Sequence, residues 1–295
     1  MSLLSYLYLK FIAVVFRTLS RLKGDISLIS HPDAVRLIPS RDSQRTIKAH
    51  FYRSALRTTQ PTPLLINFHG SGFMIPALGS DDAFCRQISQ ETEYSVLDIA
   101  YRLAPEDPFP AAVHDVEDAV KWALRQSDEF DASCIAISGF SAGANLALVA
   151  SSTLFPPETF QSVIAFYPCL EFFQDPRAVV APEAGGRPIP PFVLSAFKQC
   201  YLQGGVDPRD PRVCPSYADL DRFPRSVLVI TAGYDSLALE GEKLAVRLSE
   251  RPGRQVVCER MEKCNHAWDK LAQKGTREWG LKERAYKLAI DILQR

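Results

Sequence analysis

The sequence predicts an α/β fold: a mostly parallel central sheet covered by helices on both faces. Three observations carry that expectation. From about residue 45, short β-rich runs alternate with longer helical patterns. The runs are continuously apolar, as strands buried on both faces are, rather than alternating in polarity. The chain has 295 residues, 46% of them hydrophobic, enough to bury one large core.

The elements follow in order. "TIKAHFY" (46–52), "LLINFHG" (64–70), "SVLDIAY" (95–101), "SCIAISG" (133–139), "SVIAFYP" (162–168), "SVLVITAG" (226–233) and "QVVCERM" (255–261) read as strands. Helical stretches lie between them, near 81–93, 111–126, 142–152, 238–250 and 277–294. Parallel strands need such crossovers. One segment breaks the rhythm. Residues 171–215 are first rich in proline and glycine ("APEAGGRPIPPF") and then helical ("PFVLSAFKQCYL"), far longer than an ordinary connection. We expect this insertion, with about residues 1–45, to form a helical cap on a single domain spanning 1–295.

Charge and cysteine usage exclude several classes. Lys plus Arg and Asp plus Glu both number 34, so no net field favours nucleic acid. The seven cysteines show no C-x-x-C spacing, which argues against a zinc or redox motif. Cys134 and Cys169 lie in apolar runs and read as small buried hydrophobes. Scattered thiols fit a reducing, cytoplasmic location.

The N-terminal "LLSYLYLKFIAVVF" (3–16) is apolar, interrupted by one lysine and followed by Arg17, Arg21 and Lys23. It reads as too short for a membrane span, and it lacks the leading charge and small-residue cleavage site of a signal peptide. The plain expectation is an amphipathic helix packed on the body. The sharper one is a helix that also borders a substrate entrance or rests on a membrane surface.

The chemistry centres on "ISGFSAGANLALVA" (137–150), where Gly139-Phe140-Ser141-Ala142-Gly143 joins a buried strand to a helix. A serine on such a sharp turn matches the nucleophile elbow, and Gly139 and Gly143 relieve crowding where strand and helix approach. A serine hydroxyl needs a base, usually a histidine oriented by a carboxylate. In the order nucleophile, acid, base, His266 is the single histidine that follows Ser141; His31, His50, His69 and His114 all precede it. Asp235 directly follows the strand "SVLVITAG" and is the preferred acid, with Glu171 as its rival. Upstream, "LLINFHGSGF" ends a strand in small residues able to bring backbone N–H groups to an oxyanion. Ser71, Gly72 and Ala142 are the candidate donors, and His69 and Gly70 shape that loop. No metal or other cofactor is needed.

Over about residues 60–270 the chain resembles the hormone-sensitive-lipase-type branch of the α/β-hydrolase fold. The strings that carry the resemblance are "HGSGF" (usually HGGGF), "YRLAPE" (101–106), "GFSAGAN" (usually GDSAGGN), "GYDSL", "NHAWD" and the proline-bearing "DPRDPRVCPSYADL". It implies a carboxylic-ester hydrolase with Ser141, Asp235 and His266 as its triad and an oxyanion hole from the backbone of Ser71, Gly72 and Ala142. The departures are Ser71 for the middle glycine, Phe140 for an acid, and Ala-Trp after His266 for Gly-Phe. Phe140 is expected to make the site more apolar and to point to an apolar substrate. The expected substrate is a small to medium apolar ester. The alternatives are a natural-product tailoring enzyme of the same fold, acting by acyl transfer, thioester release or elimination, and a non-catalytic ligand-binding relative.

Overall fold

The computed structural model describes residues 2–23, 29–56, 60–207 and 209–295. Part of the N-terminal segment assigned to a cap (1 and 24–28) and Pro208 of the proline-bearing string lie outside the described residues. The strands are β1 (Ala34–Pro39), β2 (Thr46–Tyr52), β3 (Thr62–Phe68), β4 (Ser95–Ile99), β5 (Phe130–Phe140), β6 (Ser162–Phe166), β7 (Ser226–Ala232) and β8 (Gln255–Met261). They form one eight-stranded sheet in the order β1-β2-β4-β3-β5-β6-β7-β8. β2 pairs antiparallel with β1 and β4, and every later pairing is parallel.

The main helices are α1 (Leu3–Lys23), α2 (Asp82–Glu91), α3 (Ala111–Leu124), α4 (Ala142–Val149), α5 (Pro191–Tyr201), α6 (Ala238–Ser249), α7 (Trp268–Leu271) and α8 (Arg277–Leu293). The strand period of two sends successive side chains to opposite faces. Leu64, Ile66, Phe68, Val227 and Val229 thus join one core with α3, α4 and α6, while Leu65, Leu228 and Ile230 join a second with α2 and α8. The central strands are buried along almost their whole length, which explains their unbroken apolar character.

Two expectations about the N-terminal segment need correction. Residues 34–39, assigned to a cap, form β1 at the sheet edge. Its apolar Val35 and Leu37 face water while Arg36 takes an inward position, so burial along the strand does not follow its apolar residues. The first helix also runs on to Lys23, and residues 3–22 are long and apolar enough to cross a membrane by length and composition. Here α1 lies against the body, with Leu9 and Ala13 buried and Phe16 touching Phe192 and Phe197 of α5. Cys134 and Cys169 are half-buried rather than fully enclosed.

Candidate active site

β5 ends in Gly139-Phe140, and the chain turns at Ser141 into α4. Ser141 adopts φ +52° and ψ −116°, a conformation a non-glycine residue holds at a cost of about 1–3 kcal/mol. The flanking glycines make the turn feasible. A Cβ on Gly143 would stand 1.9 Å from the Phe68 carbonyl oxygen, and one on Gly139 would stand 2.2 Å from the Gly143 oxygen. Strand and helix therefore meet backbone to backbone, and the serine is lifted out of the sheet edge.

The structure brings Ser141, His266 and Asp235 together from three separate loops. His266 Nδ1 lies 2.6 Å from Asp235 Oδ2, and Nε2 lies 2.9 Å from Ser141 Oγ. A neutral imidazole donating from Nδ1 accepts at Nε2 from the serine hydroxyl. Asp235 is fully buried, and its Oδ1 accepts from the Leu237 N–H at the start of α6, where the helix terminus favours an anion. Glu171, the rival acid, lies in the wall of the adjoining cavity, and its side chain bonds to Gln174 rather than His266.

The loop after β3 packs directly on this turn: a Cβ on Gly70 would lie 3.2 Å from the Phe140 oxygen. The Ser71 hydroxyl accepts from Phe73 N–H at 2.8 Å and meets Tyr101 Oη at 2.7 Å, while Tyr101 donates to the His69 carbonyl. Serine in place of glycine thus braces the loop. Gly72 has φ +54°, and a Cβ there would fall 2.5 Å from the Phe197 ring. Among the described residues, the N–H groups of Ser71, Gly72 and Ala142 have no protein acceptor. His69 is buried and stacked on Tyr101, and burial pushes its pKa down. It supports the loop away from His266.

Several contributors escaped the sequence reading. The Tyr167 ring meets His266 edge-on at 4.7 Å, and its hydroxyl donates to Asp269 at 2.7 Å. Asp269 also accepts from Tyr286 and pairs with the buried Lys270, whose ammonium contacts Asp81 as well. Lys270 Nζ sits 3.4 Å above the Phe140 ring. This corrects the reading of Phe140, which packs with Phe84 and Phe166 in the core and does not line the cavity. The segment 183–187 ties two site loops together. Glu183 N–H donates to Gly233, Glu183 Oε2 accepts from Lys263, and Arg187 N–H donates to Asn265. Glu240 accepts from the N–H groups of Leu170 and Glu171, fixing the turn after β6, and its burial pushes its pKa well up.

A cavity of about 790 Å3 opens beside Ser141 and His266. Its walls are largely apolar and come from α1 (Val15, Leu19), the 169–193 region (Phe172, Ile189) and α5 (Phe197). "YRLAPE" anchors this arrangement: Tyr101 braces the loop after β3, Arg102 pairs with Asp115 and Asp42, and Glu106 pairs with Arg17 of α1.

Residues 65–270, most of the chain, match the family described as having the alpha/beta hydrolase fold. The chain belongs to this family. It is similar to the carboxylic ester hydrolase LipN of Mycobacterium tuberculosis, 36% identical over 202 residues. That alignment covers 63% of this chain and 52% of LipN, so this chain spans about half the length of that relative. An arylesterase of Saccharolobus solfataricus is 32% identical over 219 residues, 69% of each protein. Among solved structures, the metagenomic thermostable carboxylesterase EstE1 superposes with a TM-score of 0.81 at 27% identity, covering 97% of this chain and 98% of EstE1.

Proposed function

We propose that this chain is a serine hydrolase of carboxylic esters in the hormone-sensitive-lipase-type branch of its family. The observation that carries the reading is one imidazole, His266, bridging Ser141 Oγ at 2.9 Å and Asp235 Oδ2 at 2.6 Å. Such a bridge is what a weak hydroxyl needs to become a nucleophile. The names of the LipN and arylesterase relatives support the same chemistry.

The steps follow from the geometry. Ser141 Oγ attacks the ester carbonyl carbon while its proton passes to His266 Nε2. Asp235 holds the imidazole in register and stabilises its charged form. The carbonyl oxygen becomes an oxyanion that accepts from the N–H groups of Ser71, Gly72 and Ala142, each donor lowering the barrier by about 3 kcal/mol. Collapse breaks the bond to the alcohol, which leaves with the proton from Nε2. Water, deprotonated by the same nitrogen, then attacks the acyl-enzyme, and release of the acid restores Ser141.

α1 and residues 171–215 act as the cap of a single domain, and the apolar cavity they help enclose suits small to medium apolar esters. The seven free thiols support a cytoplasmic location. Hydrolysis of p-nitrophenyl butyrate tests the proposal. Ser141→Ala should abolish turnover and labelling by a fluorophosphonate probe while leaving the fold intact by circular dichroism. Full activity in that variant would refute the mechanism.

A further inference from the structure

We propose that the outward face of α1 docks the enzyme on the surface of a lipid membrane, with the mouth of its cavity opening toward the lipid. The site's assignment as an ester-hydrolysing centre underlies the second half of this proposal, but not the docking itself.

An ordinary surface helix turns its apolar stripe inward and its charges to water. α1 buries Leu9 and Ala13 yet leaves a second apolar arc facing out. Leu3, Leu4, Leu7, Phe11, Val14 and Leu22 fall on one arc of the helix at 3.6-residue spacing and are exposed, Leu4 by 80% and Phe11 by 67%. Tyr8, Val15 and Leu19 extend the same exposed arc. The cations Lys10 and Arg17 point to the protein instead. Arg17 grips both carboxylate oxygens of Glu106 and donates to the carbonyls of Met74 and Ala104, and Lys10 bonds the same Glu106. The helix is about 32 Å long, 21 residues at 1.5 Å each, and its outward arc is apolar except for Thr18 and the flanking Arg21, far more than a solvated helix carries.

The same face meets the cavity. Val15 and Leu19 belong both to the exposed arc and to the cavity wall, and the exposed Phe192 and Leu271 complete an apolar rim. An apolar ester dissolved in lipid would therefore reach Ser141 without crossing water.

Charge selects lipid over a second copy of the chain. Residues 1–24 contain no Asp or Glu, and among the described residues the cation on the exposed arc, Arg21, lies at its edge. Lipid phosphates would neutralise Arg21, whereas a symmetric partner presenting this face would oppose arginine to arginine and seal both mouths. Spanning the bilayer is disfavoured for a different reason. The helix would have to abandon the Glu106 contacts and carry Lys10 and Arg17 into hydrocarbon.

Flotation of the full chain with phosphatidylcholine vesicles, with and without phosphatidylserine, tests this. The wild type should float with vesicles, more strongly when phosphatidylserine is present. Leu7→Asp/Phe11→Asp, which alters residues outside the cavity wall, should reduce the bound fraction at least about tenfold. It should leave hydrolysis of dissolved p-nitrophenyl butyrate unchanged. No flotation of the wild type, equal flotation of the double variant, or binding that resists alkaline carbonate extraction would each overturn surface docking. A dimer that the double variant dissolves, with no flotation, would show a second copy to be the occupant and overturn it too. Flotation without any ester hydrolysis would instead sink the hydrolase reading and leave docking standing.

Discussion

Replacing Lys270 with methionine removes a cation from the core beneath the Ser141 turn. The ammonium lies 2.8 Å from Asp81 and 2.9 Å from Asp269, over the Phe140 ring, and the side chain is 8% exposed. Methionine keeps most of the packing volume, so the loss is chiefly electrostatic. Removing one partner of a buried ion pair typically costs about 3–5 kcal/mol, because the charge left behind has been taken out of water. Asp81 retains Asn67 and Ser80, and Asp269 retains Tyr167 and Tyr286, which places the expected loss near the lower end, about 3 kcal/mol.

The pH dependence has a definite sign. Burial alone would raise the Asp269 pKa, but Lys270 and the tyrosine hydroxyls hold it below the usual carboxylate value. A depressed carboxyl stabilises the fold above its unfolded pKa, and that contribution fades as pH falls through the folded value. Burial works against the Lys270 charge, yet Asp269 and Asp81 raise its pKa. Its contribution is therefore present below the unfolded pKa and is lost as pH rises through the folded one. The gap between wild type and Lys270→Met should be widest near neutral pH and narrow in acid, where the orphaned Asp269 carboxyl, no longer held down by Lys270, can protonate. Equilibrium urea unfolding near pH 7 and near pH 5 measures it. A difference below about 1 kcal/mol near pH 7 would refute the reasoning, since it would mean that the cation is not coupled to its carboxylates.

Other outcomes follow from single positions. Ala267 sits at φ +56°, so Ala267→Gly should raise stability by about 0.5–1 kcal/mol, with a drop in thermal midpoint arguing against strain there. Gly143→Ala would drive a Cβ to 1.9 Å from the Phe68 oxygen, and should cost at least about 3 kcal/mol in thermal unfolding; an unchanged midpoint would show that strand and helix can separate freely. Arg17→Ala should release α1, read as faster proteolysis near the N-terminus. Hydrogen bonds from Arg17, with Lys10 helping against burial, hold Glu106 down to about 2. The stability this brings is present above the unfolded carboxyl pKa and lost toward pH 2, so the difference between Arg17→Ala and wild type should shrink in acid to what the bonds to the Met74 and Ala104 carbonyls contribute. A gap unchanged in acid would assign the role of Arg17 to the carbonyl bonds and packing rather than to Glu106.

Much of the centre was legible because chain order and local chemistry constrain it. Only one histidine follows Ser141, the strand before the serine is continuously apolar, and Asp235 stands directly after another such strand. Chain order thus sufficed to pair residues 125 positions apart, Ser141 and His266, which the fold brings into hydrogen-bonding distance. The alternation of strands and helices likewise announces the sheet. Edge strand β1 escaped notice because it is short, ends in Pro39 and puts Arg36 inward with Val35 and Leu37 outward, so its pattern matches neither a buried run nor an inward-apolar alternation.

Phe140 shows the limit of adjacency. It precedes Ser141 in sequence, but successive strand residues point to opposite faces, so its ring enters the core while the serine turns to the cavity. Its partner Lys270, with the adjoining Asp269, and Asp81 come from segments far from Phe140 in sequence and meet only when α2 and α7 close over the sheet. The direction of α1 was decided in the same way. Its composition predicts an apolar helix, but Glu106 and two backbone carbonyls draw Arg17 inward and so turn the apolar residues out. Sequence alone determined the alternation of the central strands and helices and the residues placed at the Ser141 turn, because both depend on local pattern. Which side chains share a buried environment, and which face of a helix is left to solvent, depend on long-range packing, and that only the tertiary structure decided.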